Sequence, residues 1–328
     1  MSNSSAPAPT GVALRKRILV LAYSQSGQLD AIVECILAPL REDERFAIHV
    51  ERLHPEPAFP YPWSLHRFFD AFPESAHLVP PPLAPLGLSG KEDFDLVILP
   101  WQVWSLAPSQ PVTAFLRHPV AARLLAGRPV VSVIGCRNMW LLAHEKFKAL
   151  LATTGARLLD NVVLTDRAPT LVTLLTTPLW LLTGKKAWFG LPPAGVSSTE
   201  IARCARFGRA LRDALLEDRE RGDQALLTGL AAVQANPRLL ASERAGTRSF
   251  QLWGRLLRAA GGSGAASRRP LLVLYVIFLI AIILAVVPFS LMAQALLRPF
   301  LAQRFATLKR LLELPSGSGT ERLSQYEH

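Results

Sequence analysis

The chain has 328 residues, half of them hydrophobic, and a formal charge of +11 from 36 basic against 25 acidic residues. That length supports one or two domains with a sizeable core, and the basic balance asks for an anionic partner. No zinc-finger spacing, RNP motif or arginine-rich block accompanies the charge, so no nucleic acid is expected and membrane lipid is the better match.

The first residues, Met1 to Gly11, are small and polar, and a disordered tail over 1–13 that is no typical cleavable signal peptide is expected. Ile18 to Ala22 form an apolar run suited to a strand buried on both faces, as in a parallel sheet. A short polar turn follows, Ser24-Gln-Ser-Gly-Gln28, and then an apolar helical pattern from Asp30 to Leu40. Strand, hydroxyl-rich turn and helix N-terminus together make a phosphate cradle. It is neither a Walker loop nor a Gly-x-Gly-x-x-Gly fingerprint. The bland alternative is an ordinary turn with a serine cap.

Phe46 to Leu53 alternates as a second strand. His54 to Gly90 is rich in proline and aromatic residues, with a short helix expected over Ser64 to Ala71; it reads as a lid over the sheet or an aromatic wall for an apolar substrate. Phe94 to Pro100 is a third strand, followed by Trp101-Gln-Val-Trp104 on the ligand side, beyond a strand's carboxyl end. Arg128 to Cys136 is a fourth strand, Arg137 to Trp140 the loop after it, and Leu141 to Thr153 an amphipathic helix. His144 reads as a surface histidine or a base. A fifth strand is expected over Leu158 to Leu164.

Ala168 to Leu182 is apolar, broken by Pro178, and reads as an interfacial segment or a buried helix. A basic helix from Ser197 to Asp218 carries Arg203, Arg206, Arg209 and Arg212 as a solvated or headgroup-binding stripe. Residues 217–269 read as a partly helical linker. Pro270 to Leu297 contains no charge and predicts a single transmembrane helix, with a kink at Pro288 that leaves room for a re-entrant hairpin. A basic helix and disordered tail complete the chain over 298–328. The three cysteines, Cys35, Cys136 and Cys204, lack metal-ligand spacing, so no metal is expected and the thiols read as reduced.

Tyr23-Ser-Gln-Ser-Gly-Gln28 resembles the flavodoxin phosphate loop, with Gln28 for the usual asparagine and Leu29 for the usual threonine, so one hydroxyl contact is missing. Residues 14–216 resemble a flavodoxin-like doubly wound, parallel five-stranded α/β domain. Tyr23 to Leu29, Trp101 to Trp104 and Gly135 to Trp140 are more narrowly similar to the dialkylresorcinol condensing enzyme (aromatase) family. The resemblance implies FMN as cofactor, bound through Ser24, Gln25, Ser26, Gly27, Gln28, Trp101, Gln102, Trp104, Cys136 and Asn138. It implies oxidation of a small apolar cyclic dione to a dialkylresorcinol, with a ketosynthase and acyl carrier protein as partners. Tyr23 and His144 are the candidate bases. A single-pass protein of the inner (cytoplasmic) membrane, with its domain in the cytoplasm, is expected. Two alternatives stand beside this: an NAD(P)H-linked quinone reductase or electron carrier, the carrier disfavoured by the basic charge, and a flavin-free tethered scaffold.

Overall fold

A computed structural model describes residues 15–297 and 302–327; the expected tail over 1–13 lies outside the described residues. Ile18, Leu19, Val20 and Leu21 of β1 (Lys16–Ala22) are fully buried, as the uninterrupted apolar run requires of a strand covered on both faces. It pairs in parallel with β2 (Phe46–Arg52) and with β3 (Leu96–Trp104). A two-residue strand, β4 (Ala107–Pro108), folds back antiparallel on the end of β3. Next come β5 (Pro129–Cys136) and β6 (Arg157–Thr165), again parallel, giving the order β2-β1-β3-β5-β6. Counting the five parallel strands in chain order, this is 2-1-3-4-5, the flavodoxin-like doubly wound arrangement.

On one face of the sheet α1 (Gln28–Arg41) packs against α8 (Ser198–Ala202) and α9 (Ala205–Leu216). Gly208 of α9 lets the two backbones meet, because a Cβ there would lie 1.9 Å from the Ile36 carbonyl oxygen. The other layer contains α4 (Gln110–Arg117), α5 (Pro119–Leu125) and α6 (Leu141–Ala152). Between β2 and β3 the proline-rich insertion carries α2 (Leu65–Asp70) and α3 (Phe72–Ala76). After β6, α7 (Thr170–Thr183) forms where the apolar segment was expected, leaving Leu171 and Leu175 exposed.

Residues 217–269 do more than link. Ala232 accepts a backbone hydrogen bond from Val163, so this segment covers the open edge of β6. It continues into α10 (Leu239–Ala259), which packs on α3 and α6. The long apolar helix is α11 (Arg269–Leu297), followed by α12 (Ala302–Leu312).

The expected disorder after Pro315 is not found. Ser316 donates to Asp160 (2.7 Å) and accepts from the Asn161 amide (2.8 Å), while Ala231 and Val233 donate to Gly319 and Gly317. The short α13 (Leu323–Tyr326) docks on α9. The arginine stripe is solvated only in part: Arg203 stays exposed and Arg212 pairs with the adjacent Asp213, while Arg206 and Arg209 turn to the backbone of other segments. Arg203 pairs with Glu327, Arg209 donates to the Tyr326 carbonyl, and buried Arg206 donates to the Leu230 carbonyl (3.0 Å). Low-complexity composition hid this segment, since its order comes from partners distant in sequence.

Candidate cofactor-binding site

The order of strands reverses between β1 and β3, and the loops leaving their carboxyl ends converge on one edge of the sheet. The loop after β1 runs from Tyr23 to Gly27, which caps α1 at φ 77°, a left-handed conformation open to glycine. Side chains at residue 27 would meet no atom within 4 Å, so strain rather than crowding selects glycine. Ser24 Oγ is buried without a hydrogen-bond partner, and Ser26 is half-buried beside it.

Two expected ligand residues are already engaged. Gln25 accepts from the Tyr23 hydroxyl and donates to the Pro60 carbonyl (2.6 Å), fastening the insertion across the loop. Gln28 exchanges two hydrogen bonds with the Val196 backbone, each 3.1 Å. Gly195 makes that approach possible, because a Cβ there would lie 2.7 Å from Gln28 Oε1. Its amide donates to Asp166 (2.7 Å), at the end of β6. The two glutamines therefore position the rim of the site.

Trp101 and Trp104 part company. Trp101 is fully buried, its indole N–H donating to Ser132 (2.9 Å) and its ring stacked on Phe147 at 4.9 Å. It belongs to the core and does not face a ligand, because the β3 pleat turns it inward. Trp104 is half-buried and meets Phe59 (4.9 Å), Trp63 (5.8 Å) and Tyr23 (6.2 Å) edge-on. Between them Gln102 Oε1 is buried without a partner.

The third loop, after β5, holds half-buried Cys136, whose thiol is pushed up by burial and by the charge of Glu243, so it stays protonated. Asn138 Oδ1 is buried without a partner. Arg137 is held below its ordinary range by burial, partly offset by Cys136 and Asp166. Glu243, arriving from α10, accepts from the Leu141 and Leu142 amides (3.2 and 2.7 Å) and so caps α6.

Neither candidate base serves. His144 is buried among Trp101, Trp140 and Phe147, and desolvation lowers it to about 3, so it is neutral at physiological pH. The amphipathic pattern placed it on a surface; the fold instead covers that face of α6. Burial raises the Tyr23 hydroxyl, which remains a donor.

A cleft of about 210 Å³ opens beside these loops, lined by Tyr23, Ser24, Arg52, His54 and Phe59 among others. Arg52 and His54 are site residues that sequence reasoning missed; their position at the end of the strand beside β1 was the available signal. Arg52 also pairs with Asp30 in the first turn of α1 (3.2 Å). Among the described residues no cluster of histidine, cysteine and carboxylate side chains could hold a metal.

No protein-family model matches the chain, and no curated protein does. Among solved structures it is similar to a flavoprotein from Lactobacillus acidophilus in complex with FMN, at 16% identity and TM-score 0.36, over 45% of this chain and 93% of that one. Oxidised flavodoxin 1 from Bacillus cereus aligns at 17% identity and TM-score 0.31, over 59% of this chain and 95% of that one. A flavone reductase aligns at 12% identity and TM-score 0.35, over 64% and 66%. At such scores the strand order, and not the superposition, is what assigns this chain to the flavodoxin-like α/β fold.

Proposed function

We propose that the chain is a membrane-attached, FMN-binding oxidoreductase. The observation that carries this is the set Ser24 Oγ, Gln102 Oε1 and Asn138 Oδ1: of eight buried, unpartnered side-chain polar atoms among the described residues, these three lie together along the carboxyl ends of β1, β3 and β5, Ser24 and Asn138 in the loops and Gln102 in the last residues of β3. Buried polar atoms are nearly always partnered, so three along one edge point to a polar ligand laid across all three strand ends. The residues present fit FMN at its phosphate end. Gly27 opens the turn onto the N-terminus of α1, whose backbone N–H groups and dipole favour an anion, and the Ser24 and Ser26 hydroxyls flank it. Arg52 also lines the cleft, its charge shared with Asp30 in the first turn of α1.

Bound there, FMN supplies a two-electron acceptor. Around it, Gln25 and Gln28 hold the rim, and Phe59, Trp63 and Trp104 exclude water. The cleft is smaller than the usual 300–1,000 Å³ of a small-molecule site, so the Phe59–Pro60 segment must lift for the ring system to enter.

The substrate in this reading is an apolar 2,5-dialkylcyclohexane-1,3-dione, oxidised to the resorcinol after a ketosynthase and acyl carrier protein have assembled its ring. The three-loop resemblance and the aromatic wall support it, and α11 supports residence where such a product partitions. The test is anaerobic: purified full-length protein, loaded with FMN, is mixed with a synthetic dione. Flavin bleaching with stoichiometric resorcinol is expected. A protein that neither retains nor takes up FMN sinks the flavin reading. Flavin that bleaches with NAD(P)H and reoxidises with a quinone, leaving dione untouched, replaces the aromatase with a quinone reductase.

A further inference from the structure

The long apolar helix α11 and the tail beyond α12 together impose a topology that neither shows alone. Immediately before α11, Arg268 is buried and paired with Glu74 (2.6 Å) and Asp70 (3.4 Å) of the insertion. Asp70 also accepts from Ser263 and the Gly264 amide (3.1 and 2.6 Å). In the first turns of α11, Leu272 and Tyr275 pack against Phe69, Phe72, Phe250 and Trp253. After α12 the chain is fastened again to the same domain. Buried Glu313 accepts from the Ala235 amide (2.9 Å), Ser316 joins Asp160, and Arg322 donates to the Leu226 and Thr228 carbonyls. One folded body therefore holds both ends of the α11–α12 segment. A single crossing would put residues 313–327 on the side of the membrane opposite to Asp160.

The apolar character of α11 is nevertheless real. Its span from Ala266 to Ala285 has a mean hydropathy of 2.2. Beyond Tyr275 none of residues 276–285 is fully buried: Val276, Phe278 and Leu279 still touch the domain on one side, while Ile277, Ile280, Ile282 and Leu284 are exposed over roughly half the helix circumference, about 100° separating successive residues. A protein partner covers one stripe of a helix, whereas a helix apolar all round, with half its circumference open, calls for lipid. The 29 residues of α11 extend about 43 Å, well over the roughly 30 Å of a hydrocarbon core. The return path is short. From Leu297 to Ala302 the chain reaches at most about 18 Å, and α12 adds about 16 Å while carrying exposed Arg304 and Arg310, which belong in headgroups or water.

We infer that the protein is monotopic: α11 enters one leaflet at a shallow angle and the chain returns to the side it left, so that the domain and its C-terminal tail share one face of the bilayer. This rests on the membrane attachment proposed above and replaces the single crossing expected from the sequence. Neighbouring surfaces fit the same leaflet. Trp63 donates to the Leu181 carbonyl at the end of α7, joining that helix to the insertion that grips α11. Beside it Leu171, Leu175, Trp188 and fully exposed Phe189 stand with Lys185, an apolar edge with a basic rim.

The experiment uses the full chain in sealed, inverted membrane vesicles, with Glu44→Cys and Gln325→Cys variants labelled by a membrane-impermeant maleimide over the native-thiol background. Both residues are exposed, one on the sheet domain and one on the tail. Equal labelling before lysis, with less than a twofold rise afterwards, is expected for both. Labelling of Glu44→Cys with at least tenfold protection of Gln325→Cys shows a single crossing and overturns the inference. Flotation with phosphatidylglycerol vesicles separates the underlying reading: a chain that stays at the bottom as a dimer has α11 covered by a second copy, which overturns membrane attachment itself.

Discussion

The side-chain amide of Gln25 donates to the carbonyl oxygen of Pro60 at 2.6 Å, so the turn that opens onto α1 is latched to the aromatic insertion above it. In the proposed FMN reading the latch lies across the way in, which makes residue 25 a gate. Replacing Gln25 with Ala removes one donor from a carbonyl half-open to solvent, a loss of about 1 kcal/mol. Faster FMN association in stopped-flow quenching, with little change in melting temperature, is the expected result; unchanged association shows that the insertion is not the barrier.

Gly27 tests the cradle itself. Valine at φ 77° is strained by roughly 1–3 kcal/mol, and the loop relieves that strain by turning its amides away from the ligand. Gly27→Val should lose flavin content at least tenfold while keeping the far-ultraviolet circular dichroism of the folded protein. Full flavin content in the variant removes the loop from the binding site.

The two tryptophans of the second loop give opposite phenotypes. Trp101→Ala empties a core site stacked on Phe147 and should cost about 3–5 kcal/mol, read as a lower denaturant midpoint. Trp104→Ala breaks an edge-on cluster at a half-buried position, each ring pair being worth about 0.5–1.5 kcal/mol, and should chiefly raise the KM for an apolar substrate. Equal stability loss in the two variants contradicts that division.

Arg268 links the insertion to α11. Removing it takes the cation from buried Asp70, which keeps only the Ser263 and Gly264 donors, and from half-buried Glu74, and Arg268→Met should cost up to about 3 kcal/mol. Combining it with Asp70→Asn and Glu74→Gln should recover much of that loss. A triple variant no more stable than the single one shows that the charges were not the problem.

Asp160 and His144 pull the pH response in opposite directions, and Glu243, raised by burial, acts in the same sense as Asp160. Burial raises Asp160 to about 6, so its contribution is fully present below its unfolded value near 3.9 and is lost as pH rises through 6, a swing of about 3 kcal/mol. His144, lowered to about 3, contributes stability above its unfolded value near 6.5, lost as pH falls towards 3, up to roughly 5 kcal/mol. Denaturant midpoints measured from pH 4 to 6.5 should rise with pH in the wild type. In His144→Leu the slope should reverse, exposing the limb shared by Asp160 and Glu243, and adding Asp160→Asn should make that reversed slope shallower.

Local pattern alone determined a good deal here. The apolar run Ile18 to Ala22 marks a strand buried on both faces and the alternating Phe46 to Arg52 an edge strand. The other three parallel strands lie on shorter apolar stretches, Leu96 to Leu99 in β3 and runs broken by Ser132 in β5 and by Asp160 and Asn161 in β6. The uncharged run from Pro270 likewise had to be a helix needing an apolar surround. Tertiary structure decided what depends on partners far along the chain. Pleat and covering helices turned Trp101 and His144 into the core, where a loop and a surface helix were expected. Gln28 was spent on Val196, 168 residues away, and Arg203 and Arg209 on the tail. That tail, short and rich in serine and glycine, has no apolar period of its own; Asp160, Asn161 and the edge of β6 give it order. Composition and pattern therefore dictate which segments must leave water, while only the fold, by returning residues 313–327 to the starting side, decides how α11 can do so.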